Sequence, residues 1–395
     1  MAIKISKRAQ HMGQSATLAM SSEAKKMRDE GIDVISFATG EPDFATPQNI
    51  SNSSIIAIEK GLTKYPPSAG LPELRNAIAV KLKRENSLFY DPSQIAVTCG
   101  GKHAIYNALQ VILDPGDEVV IPAPFWVSYP DQVKLADGKP VIVETGPETS
   151  YKITLPMLKQ AITDKTRAFI LNSPSNPTGN AYAESELREI GNFLADRGIV
   201  IISDEIYEKL VYDNFTHTSI AAAAPACKDL TILVNGVAKA YAMTGWRMGY
   251  AAGPKEIIAK MITMTGQQIT GIPPFVQMAC VEALEGPQDE IGRMKEEFKK
   301  RRDYMLSRMI EIPRLHCEKP QGAFYLFPDI SAYLGKSNGI KTSDDLAMHL
   351  LKNAHIATVS GASFGAPMNI RFSYATSMKN IEEGMNRFSK ALAGL

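Results

Sequence analysis

The chain has 395 residues, of which 45% are hydrophobic, and its 43 basic and 42 acidic side chains give a formal net charge of +1. This length favours two domains, each with its own core. Because the charges are balanced and evenly spread, neither a nucleic-acid-binding arm nor a basic membrane-binding face is expected. The N-terminus lacks the apolar run of an export signal, and no segment is long and apolar enough to cross a membrane. We therefore expect a cytoplasmic protein whose partners are small molecules.

Cysteine and histidine spacing gives no indication of a metal site or a disulfide framework. None of the six histidines has the HExxH spacing of a zinc enzyme, so no metal is expected. The cysteines form no CxxC pair, which favours reduced thiols. They are Cys99, Cys227, Cys280 and Cys317.

Seven short apolar runs, separated by segments of helical period, occupy residues 95–253. They are apolar on both faces, as in strands that helices cover on both sides. The sequence therefore predicts an α/β protein with a doubly wound, mostly parallel sheet. Amphipathic helices are predicted for HAIYNALQVIL and ESELREIGNFLADRG. The runs are IAVTCG, EVVIPAP, PVIVET, RAFILNSP, IVIISDE, LTILVNG and RMGYAAGP.

The pattern changes near residue 286, which predicts a second, smaller α/β domain. A charged helix, DEIGRMKEEFKKRRDYMLSRM, is followed by short predicted strands (GAFYLFP, IATVS and NIRFSYA) and a final helix. We assign residues 46–285 to the large domain and residues 1–45 and 286–395 to the small one. Since no Pro/Ser-rich linker separates them, a helical connection is expected.

Reactive side chains follow several of the predicted strands, where ligands gather in open α/β sheets. Gly100–Lys102 forms a glycine-rich turn before a helix, which suits a phosphate. Asp204 ends another strand and precedes Tyr207, while Lys239 and Arg247 follow the next one. Each has an ordinary structural alternative: a simple turn, a helix N-cap for Asp204, or a snorkelling Lys239.

Together these groups match the chemical needs of pyridoxal phosphate. A lysine amine condenses with an aldehyde, and an aspartate holds a heteroaromatic nitrogen protonated. Tyrosine and asparagine hydrogen-bond a phenolate, and arginine binds a phosphate through two N–H groups.

Six sequence blocks resemble the class I aminotransferases, and most closely the bacterial aspartate aminotransferase branch that includes aspartate/prephenate enzymes. They occur in family order and span nearly the whole chain. The resemblance implies fold type I, pyridoxal phosphate as cofactor, and a homodimer. The blocks are TGEPDF, GLTKYPPSAGLPELR, NSPSNPTG, SDEIY, NGVAKAYAMTGWRMGY and NIRFSYA.

The resemblance also implies roles for residues around the cofactor ring. Lys239 would bind the cofactor covalently and move the proton between the substrate Cα and the cofactor. Asp204 would pair with the pyridine nitrogen, and Tyr207 and Asn176 would contact the ring oxygen. Trp126, in APFWVSYP, would stack on the ring, although a lone tryptophan can equally be part of a core.

At the phosphate, the resemblance implies binding by Arg247 and by the backbone of Gly101 and Lys102. Tyr65 would reach the phosphate from the other subunit. The chain departs from many relatives at Gly236, where they have a serine three residues before the lysine. One hydroxyl contact to the phosphate would then be missing, which places more of the binding on Arg247 and the helix end.

For the substrate, the resemblance implies that Arg371 binds the α-carboxylate beside the backbone of Gly40, with Trp126 and Asn176 also in contact. The reaction would be ping-pong transamination between amino acids and 2-oxo acids. We therefore expect an aspartate aminotransferase acting with 2-oxoglutarate. Other open possibilities are a prephenate or broad-specificity aminotransferase and a pyridoxal-phosphate lyase on the same scaffold.

Recognition of the distal carboxylate is the least direct expectation. Residues 248–292 contain no arginine, so the interchain arginine of many aspartate aminotransferases is absent. The resembling branch uses the lysine of the GGK turn with a nearby serine and threonine, which are Lys102, Ser15 and Thr17 here. Alternatively, the Lys102 charge stabilises the bound cofactor phosphate, and the hydroxyls of Ser15 and Thr17 cap a helix. Relatives that accept prephenate have a basic residue at the position of Gly13, so prephenate is the second-ranked substrate.

Two other protein classes are disfavoured. Residues 361–365 match the G-x-S-x-G motif of hydrolases, which requires a strand before it and a helix after it. Because Pro367 and a predicted strand follow, we interpret Ser363 as a turn residue in a loop. A transcription regulator with an aminotransferase-like domain would need a DNA-binding module, and the residues before TGEPDF are too few for one.

Overall fold

The computed structural model describes residues 3–10, 12–13, 16–335 and 339–395. The strands are β1 (Ile35–Ser36), β2 (Ile95–Thr98), β3 (Glu118–Ala123), β4 (Lys139–Glu144), β5 (Thr166–Asn172), β6 (Val200–Asp204), β7 (Thr231–Gly236), β8 (Gly249–Ala252), β9 (Tyr325–Leu326), β10 (Ile356–Ala357), β11 (Val359–Ser360) and β12 (Ile370–Ser373). The α-helices are α1 (Lys7–Gln10), α2 (Ala16–Asp29), α3 (Gln48–Glu59), α4 (Pro72–Asn86), α5 (Gly100–Ile112), α6 (Tyr129–Leu135), α7 (Leu155–Ala161), α8 (Glu184–Ala195), α9 (Ile220–Ala223), α10 (Lys255–Gln268), α11 (Pro274–Glu285), α12 (Asp289–Ile310), α13 (Ser343–Ala354) and α14 (Met378–Ala393).

All seven predicted runs form strands of one sheet, in the order β2-β8-β7-β6-β5-β3-β4. Strands β3 to β7 pair in parallel, whereas β8 runs antiparallel to both β2 and β7. The α/β fold class predicted from the sequence is therefore confirmed. Because β2 and β7 both oppose β8, the carboxyl ends of all the other strands lie at one edge.

The strands are apolar on both faces because helices cover both. Along β5, Ala168 and Ile170 pack into a core with α5 and α10, whereas Phe169 and Leu171 pack against α8. Successive side chains of a strand point to opposite faces, so an uninterrupted apolar run is needed to fill both cores. For this reason, the strands of the large sheet stand out in the sequence as uninterrupted apolar runs.

Two small sheets lie outside the large one. Strand β1 pairs in parallel with β10, and β11, β12 and β9 form an antiparallel sheet. Helix α2 contacts β10 and β11, so the N-terminal segment packs on the C-terminal part of the chain. The proposed domain boundaries stay a prediction, because helix α12 contributes to two cores. Its Ile291 and Met294 pack with α4 and α11, whereas its Phe298 and Met305 pack into the core of the small sheets.

The structure corrects two local predictions and agrees with a third. The run IATVS is divided at Thr358, because β10 pairs with β1 whereas β11 pairs with β12. Only Tyr325 and Leu326 of GAFYLFP are in a strand. As predicted, Ser363 lies in a turn between two strands: Gly361–Phe364 is a 3₁₀ turn, and the next element is β12 instead of the helix that a nucleophile elbow needs.

The helices of the described part of the chain include none that is both long enough and apolar enough to cross a membrane.

Candidate active site

A cavity of about 360 Å³ lies at the edge where the strand carboxyl ends meet. Residues at the strand ends of the large sheet line it together with residues of α2, β9 and β12. It is lined by Thr17, Leu18, Gly40, Gly100, Gly101, Lys102, Trp126, Tyr129, Asn172, Asn176, Asp204, Ile206, Tyr207, Ala238, Lys239, Thr244, Arg247, Tyr325 and Arg371.

Strand direction accounts for this convergence. Asp204 ends β6, and Asn176 and Lys239 follow β5 and β7 by a few residues. Trp126 follows β3 in the same way. Arg247 precedes β8, whose reversed direction brings its beginning to this edge. The topology thus collects side chains that are far apart in the sequence.

Lys239 projects into the cavity, where its Nζ donates a hydrogen bond to the Gly40 carbonyl at 2.6 Å. The Tyr207 and Phe324 rings lie 5.9 Å from this nitrogen. Burial lowers the pKa of Lys239 to about 8, although the carboxylate of Glu41 opposes the shift. About a tenth of this amine is therefore neutral, and nucleophilic, at pH 7, far more than for a lysine of ordinary pKa.

Asp204 is only 6% exposed. Its Oδ2 accepts a 2.7 Å hydrogen bond from the Tyr129 hydroxyl. Burial raises the pKa of Asp204 to about 6, against the lowering effect of the Tyr129 bond. The Asn172 amide donates to the Asp204 backbone carbonyl at 3.0 Å and its oxygen accepts from Asn176 N at 2.8 Å. Asn172 therefore fixes the strand end relative to the loop that carries Asn176.

The hydroxyls of Tyr207 and Tyr325 lie 2.8 Å apart and form a hydrogen bond. Burial raises the pKa of Tyr207 well above its usual value, so this residue remains a hydrogen-bond donor. A Cβ on Gly40 would lie 2.8 Å from the Tyr325 oxygen. Glycine at position 40 therefore allows the Tyr325 hydroxyl to lie close to the backbone whose carbonyl accepts the hydrogen bond from Lys239.

Arg371 is a buried cation, with 1% of its surface exposed. Its Nη1 donates to Asn176 Oδ1 at 2.8 Å and its Nη2 to the Ala38 carbonyl at 2.7 Å, while its buried Nε has no partner. The Tyr325 ring lies 4.5 Å from the guanidinium carbon. No carboxylate of the described residues pairs with Arg371. A buried cation compensated only by neutral groups suits an anionic ligand.

A second cationic end of the cavity lies at the start of α5. Gly100 has a left-handed φ of +76°, and a Cβ there would lie 2.9 Å from Arg247 Nη2. Arg247 itself has a φ of +56° and donates from Nη1 to the Thr244 carbonyl at 2.8 Å. The helix begins at Gly100, so the two glycines form its first turn instead of preceding it. Free helix amides beside a guanidinium suit a phosphate.

Gly236 lies too close to β8 to carry a side chain in this backbone. It is the register partner of Gly249, and a Cβ on Gly236 would lie 2.8 Å from the Met248 carbonyl oxygen. The serine that many relatives have here would require the strands to shift. This contact accounts for the presence of glycine at this position.

Lys102 and Thr17 line the outer part of the cavity, and the Lys102 ammonium lies 4.8 Å from the Trp126 ring centroid. Partial burial and the charge of Arg247 lower the pKa of Lys102. Ser15 lies outside the described residues. Tyr65 is 90% exposed and does not line the cavity. The structure thus gathers the predicted residues of one chain, apart from Ser15, around one space.

The family profile for aminotransferase class I and II matches residues 32–388. The chain belongs to this family. It is 49% identical to an aspartate aminotransferase of Bacillus sp. (strain YM-2), over 95% of this chain and 96% of that protein. It is 47% identical to the aspartate/prephenate aminotransferase of Cereibacter sphaeroides, over 96% of each. The Thermus thermophilus aspartate aminotransferase with maleate superposes with a TM-score of 0.94, at 39% identity, over 99% of this chain and 100% of that one.

Three cavity residues whose side chains hydrogen-bond predicted site residues were not themselves predicted: Tyr129, Asn172 and Tyr325. Tyr129 lies in the APFWVSYP segment and Asn172 at the end of a predicted strand, so both positions gave a signal. Tyr325 lies in a predicted strand, GAFYLFP. Their roles depend on contacts across the fold, such as that of Tyr129 with a residue 75 positions away, which no local pattern reveals.

The fold also creates a polar cluster that sequence spacing did not indicate. Ligand atoms of Glu205, Glu208 and His217 lie within 4.8 Å of one another. Glu205 accepts from two serine hydroxyls and pairs with His217. Although burial opposes its charge, the Lys81 ammonium lowers the pKa of Glu208 to about 2. The negative charges of this cluster are therefore already balanced by neighbouring side chains of the protein.

Proposed function

We propose that this chain is an aspartate aminotransferase that uses pyridoxal phosphate bound through Lys239. The observation that carries the proposal is the gathering, in one cavity, of a lysine amine of lowered pKa, a buried carboxylate, and two separate cationic ends. An aminotransferase without such a lysine could not form the covalent link. The names of the similar proteins support aspartate as the amino donor.

The residues present fit the cofactor on structural grounds. The phosphate would lie at the first turn of α5 beside Arg247, where Gly100 leaves room for the guanidinium. When bound, pyridoxal phosphate supplies an aldehyde for amines and a ring that accepts electrons. Asp204 would accept a hydrogen bond from the ring nitrogen, and Trp126 would cover one face of the ring.

The protein groups then divide the chemistry. Lys239 would take the proton from the substrate Cα and deliver it to the cofactor side, a role that suits an amine whose pKa is about 8. Tyr207 and Asn176 would hydrogen-bond the ring oxygen. The tyrosine pair and the Arg371–Asn176 contact would keep these donors in place.

Recognition of a dicarboxylate needs two cationic groups, and the cavity has both. Arg371 would bind the α-carboxylate through its N–H groups, beside the Gly40 backbone. Lys102 would bind the distal carboxylate as a point charge, with hydroxyls from Thr17 and Ser15. A solved relative contains maleate, a dicarboxylate of comparable length. Oxaloacetate and 2-oxoglutarate are the matching acceptors.

We further propose a homodimer in the cytoplasm, with Tyr65 contributing to the phosphate site of the partner subunit. Because Tyr65 is a large aromatic residue exposed at the surface, we expect the partner subunit to cover it in the assembly. Large apolar side chains are also exposed close together along α3, as expected of a surface that another chain covers. They are Ile55, Ile56 and Ile58.

The test is the donor-only half-reaction. Holoenzyme is mixed with one amino acid at a time, and conversion of the cofactor to its aminated form is followed by absorbance. We expect conversion with aspartate and glutamate, release of the matching 2-oxo acid, and parallel lines in double-reciprocal plots of the full reaction. Ammonia, pyruvate or sulfide as main product would instead assign a lyase, and a preference for prephenate as acceptor would assign the second aminotransferase activity.

A further inference from the structure

Tyr129 connects the two groups that would flank the cofactor ring. It is the first residue of α6 and is 1% exposed. Its hydroxyl donates to Asp204 Oδ2 at 2.7 Å, and its ring meets Trp126 edge to face, with centroids 5.4 Å apart and planes at 79°. Its backbone N–H donates to the Trp126 carbonyl at 3.0 Å. One side chain thus fixes both neighbours.

The two carboxylate oxygens of Asp204 are not equivalent. Oδ2 accepts the short bond from Tyr129, whereas the bond to Oδ1 from Ile206 N is long, at 3.3 Å. A carboxylate oxygen has two acceptor sites. Each oxygen therefore keeps one acceptor site, and Oδ1, whose bond from the protein is the longer one, is the less satisfied of the two.

We propose that Tyr129 is a positioning residue whose hydroxyl keeps Asp204 ionised and presents Oδ1 to the ring nitrogen. The inference rests on the proposed function, in which Asp204 faces that nitrogen. A buried carboxyl group favours its neutral form, and a hydrogen bond donated to the carboxylate opposes this. With Asp204 held as an anion, the shared proton stays on the ring nitrogen.

The tyrosine is suited to this role because it cannot easily lose its own proton. Burial raises the pKa of Tyr129 far above neutrality, and the charge of Asp204 adds to the effect. The hydroxyl is therefore a permanent donor across the working pH range. A water molecule in its place would have no such fixed orientation.

This role has a spectroscopic consequence. A positive charge on the ring nitrogen disfavours a second positive charge on the nitrogen that joins Lys239 to the cofactor. The pH midpoint of the absorbance change of bound cofactor therefore reports how firmly the ring proton is held. Weakening the Tyr129–Asp204 bond should raise this midpoint.

The experiment titrates the bound cofactor in wild-type holoenzyme, Tyr129→Phe, Asp204→Ala and the control Tyr182→Phe. Tyr182 is also buried in the large-sheet region, but its hydroxyl accepts from Ile153 N and does not contact Asp204. We expect the midpoint to rise by about one pH unit in Tyr129→Phe, the size of one hydrogen bond to a charged group. Asp204→Ala should raise it further, and Tyr182→Phe should match wild type.

Each outcome has one meaning. A Tyr129→Phe midpoint equal to that of wild type, with Asp204→Ala shifted, would overturn the role of Tyr129 and leave the proposed function intact. An unshifted Asp204→Ala would remove Asp204 from the ring nitrogen, and the role of Tyr129 with it, while cofactor attachment to Lys239 would still test the proposed function separately. Thermal unfolding of the two tyrosine variants serves as the structural control, because a shift in the midpoint without a difference in their unfolding temperatures separates positioning from stability.

Discussion

The inner and outer ends of the cavity are built differently. The inner end, with Asp204, Tyr129, Tyr207 and Arg371, consists of buried side chains that hydrogen-bond the protein in short, defined contacts. At the outer end, the Lys102 side chain is exposed, although the protein partly shields its ammonium from water. Groups that serve every amino-acid substrate are thus preorganised, whereas the proposed distal-carboxylate site is held loosely.

This difference has a physical basis. A preorganised buried donor or charge needs no reorganisation during the reaction and acts in a low dielectric, so its loss is costly. An exposed ammonium is screened by water and contributes less. Changes at the inner end should therefore affect all substrates, and changes at the outer end only the choice among them.

The largest effect is expected for Asp204→Ala. Without the carboxylate the ring nitrogen loses its proton partner, so kcat for every amino donor should fall by about 10²–10⁴-fold. Single-turnover kinetics with aspartate and alanine would measure it, with thermal unfolding as a check on the fold. Near-normal turnover would remove Asp204 from the chemistry and with it the contrast between the two ends.

Arg371→Lys should have the next largest effect, because it keeps the charge but loses the planar pair of donors. We expect kcat/KM to fall by about 10–100-fold. The loss should be equal for aspartate, alanine and phenylalanine, since all share the α-carboxylate. A loss confined to aspartate would move Arg371 from the shared site to the distal one.

Lys102→Ala tests the outer end. Loss of a contact to a charged group costs about 1.5–3 kcal/mol, so kcat/KM for aspartate should fall at least about tenfold while alanine and phenylalanine activity is largely kept. Lys134→Ala is a matched control, because Lys134 pairs with Asp131 and does not line the cavity. An equal loss for all donors would assign Lys102 to the cofactor phosphate.

The smallest effect concerns pH. Because burial lowers the pKa of Lys239 to about 8, the neutral fraction of its amine rises by about fivefold between pH 7 and pH 8 and levels off above. The rate at which apoenzyme incorporates pyridoxal phosphate should follow this rise. A rate that continued to climb through pH 10 would indicate an unperturbed lysine and a more hydrated inner end.

The sequence predicts the large sheet well and the small sheets poorly, for a physical reason. Strands such as β5 fill two cores and so are apolar throughout, whereas β10 and β11 are two residues each and exist because of their partners. The site follows the same rule. Lys239 and Asp204 are predictable from their strand ends, but the bond between Tyr129 and Asp204 depends on how α6 packs.

Attachment of the cofactor to Lys239 can be tested chemically. Holoenzyme is reduced with borohydride, digested, and mapped by mass spectrometry to locate the pyridoxyl group. We expect the group on Lys239 alone and expect it to be absent from this peptide in Lys239→Ala. A pyridoxyl group on any other lysine, with Lys239 unmodified in the wild-type protein, would contradict it.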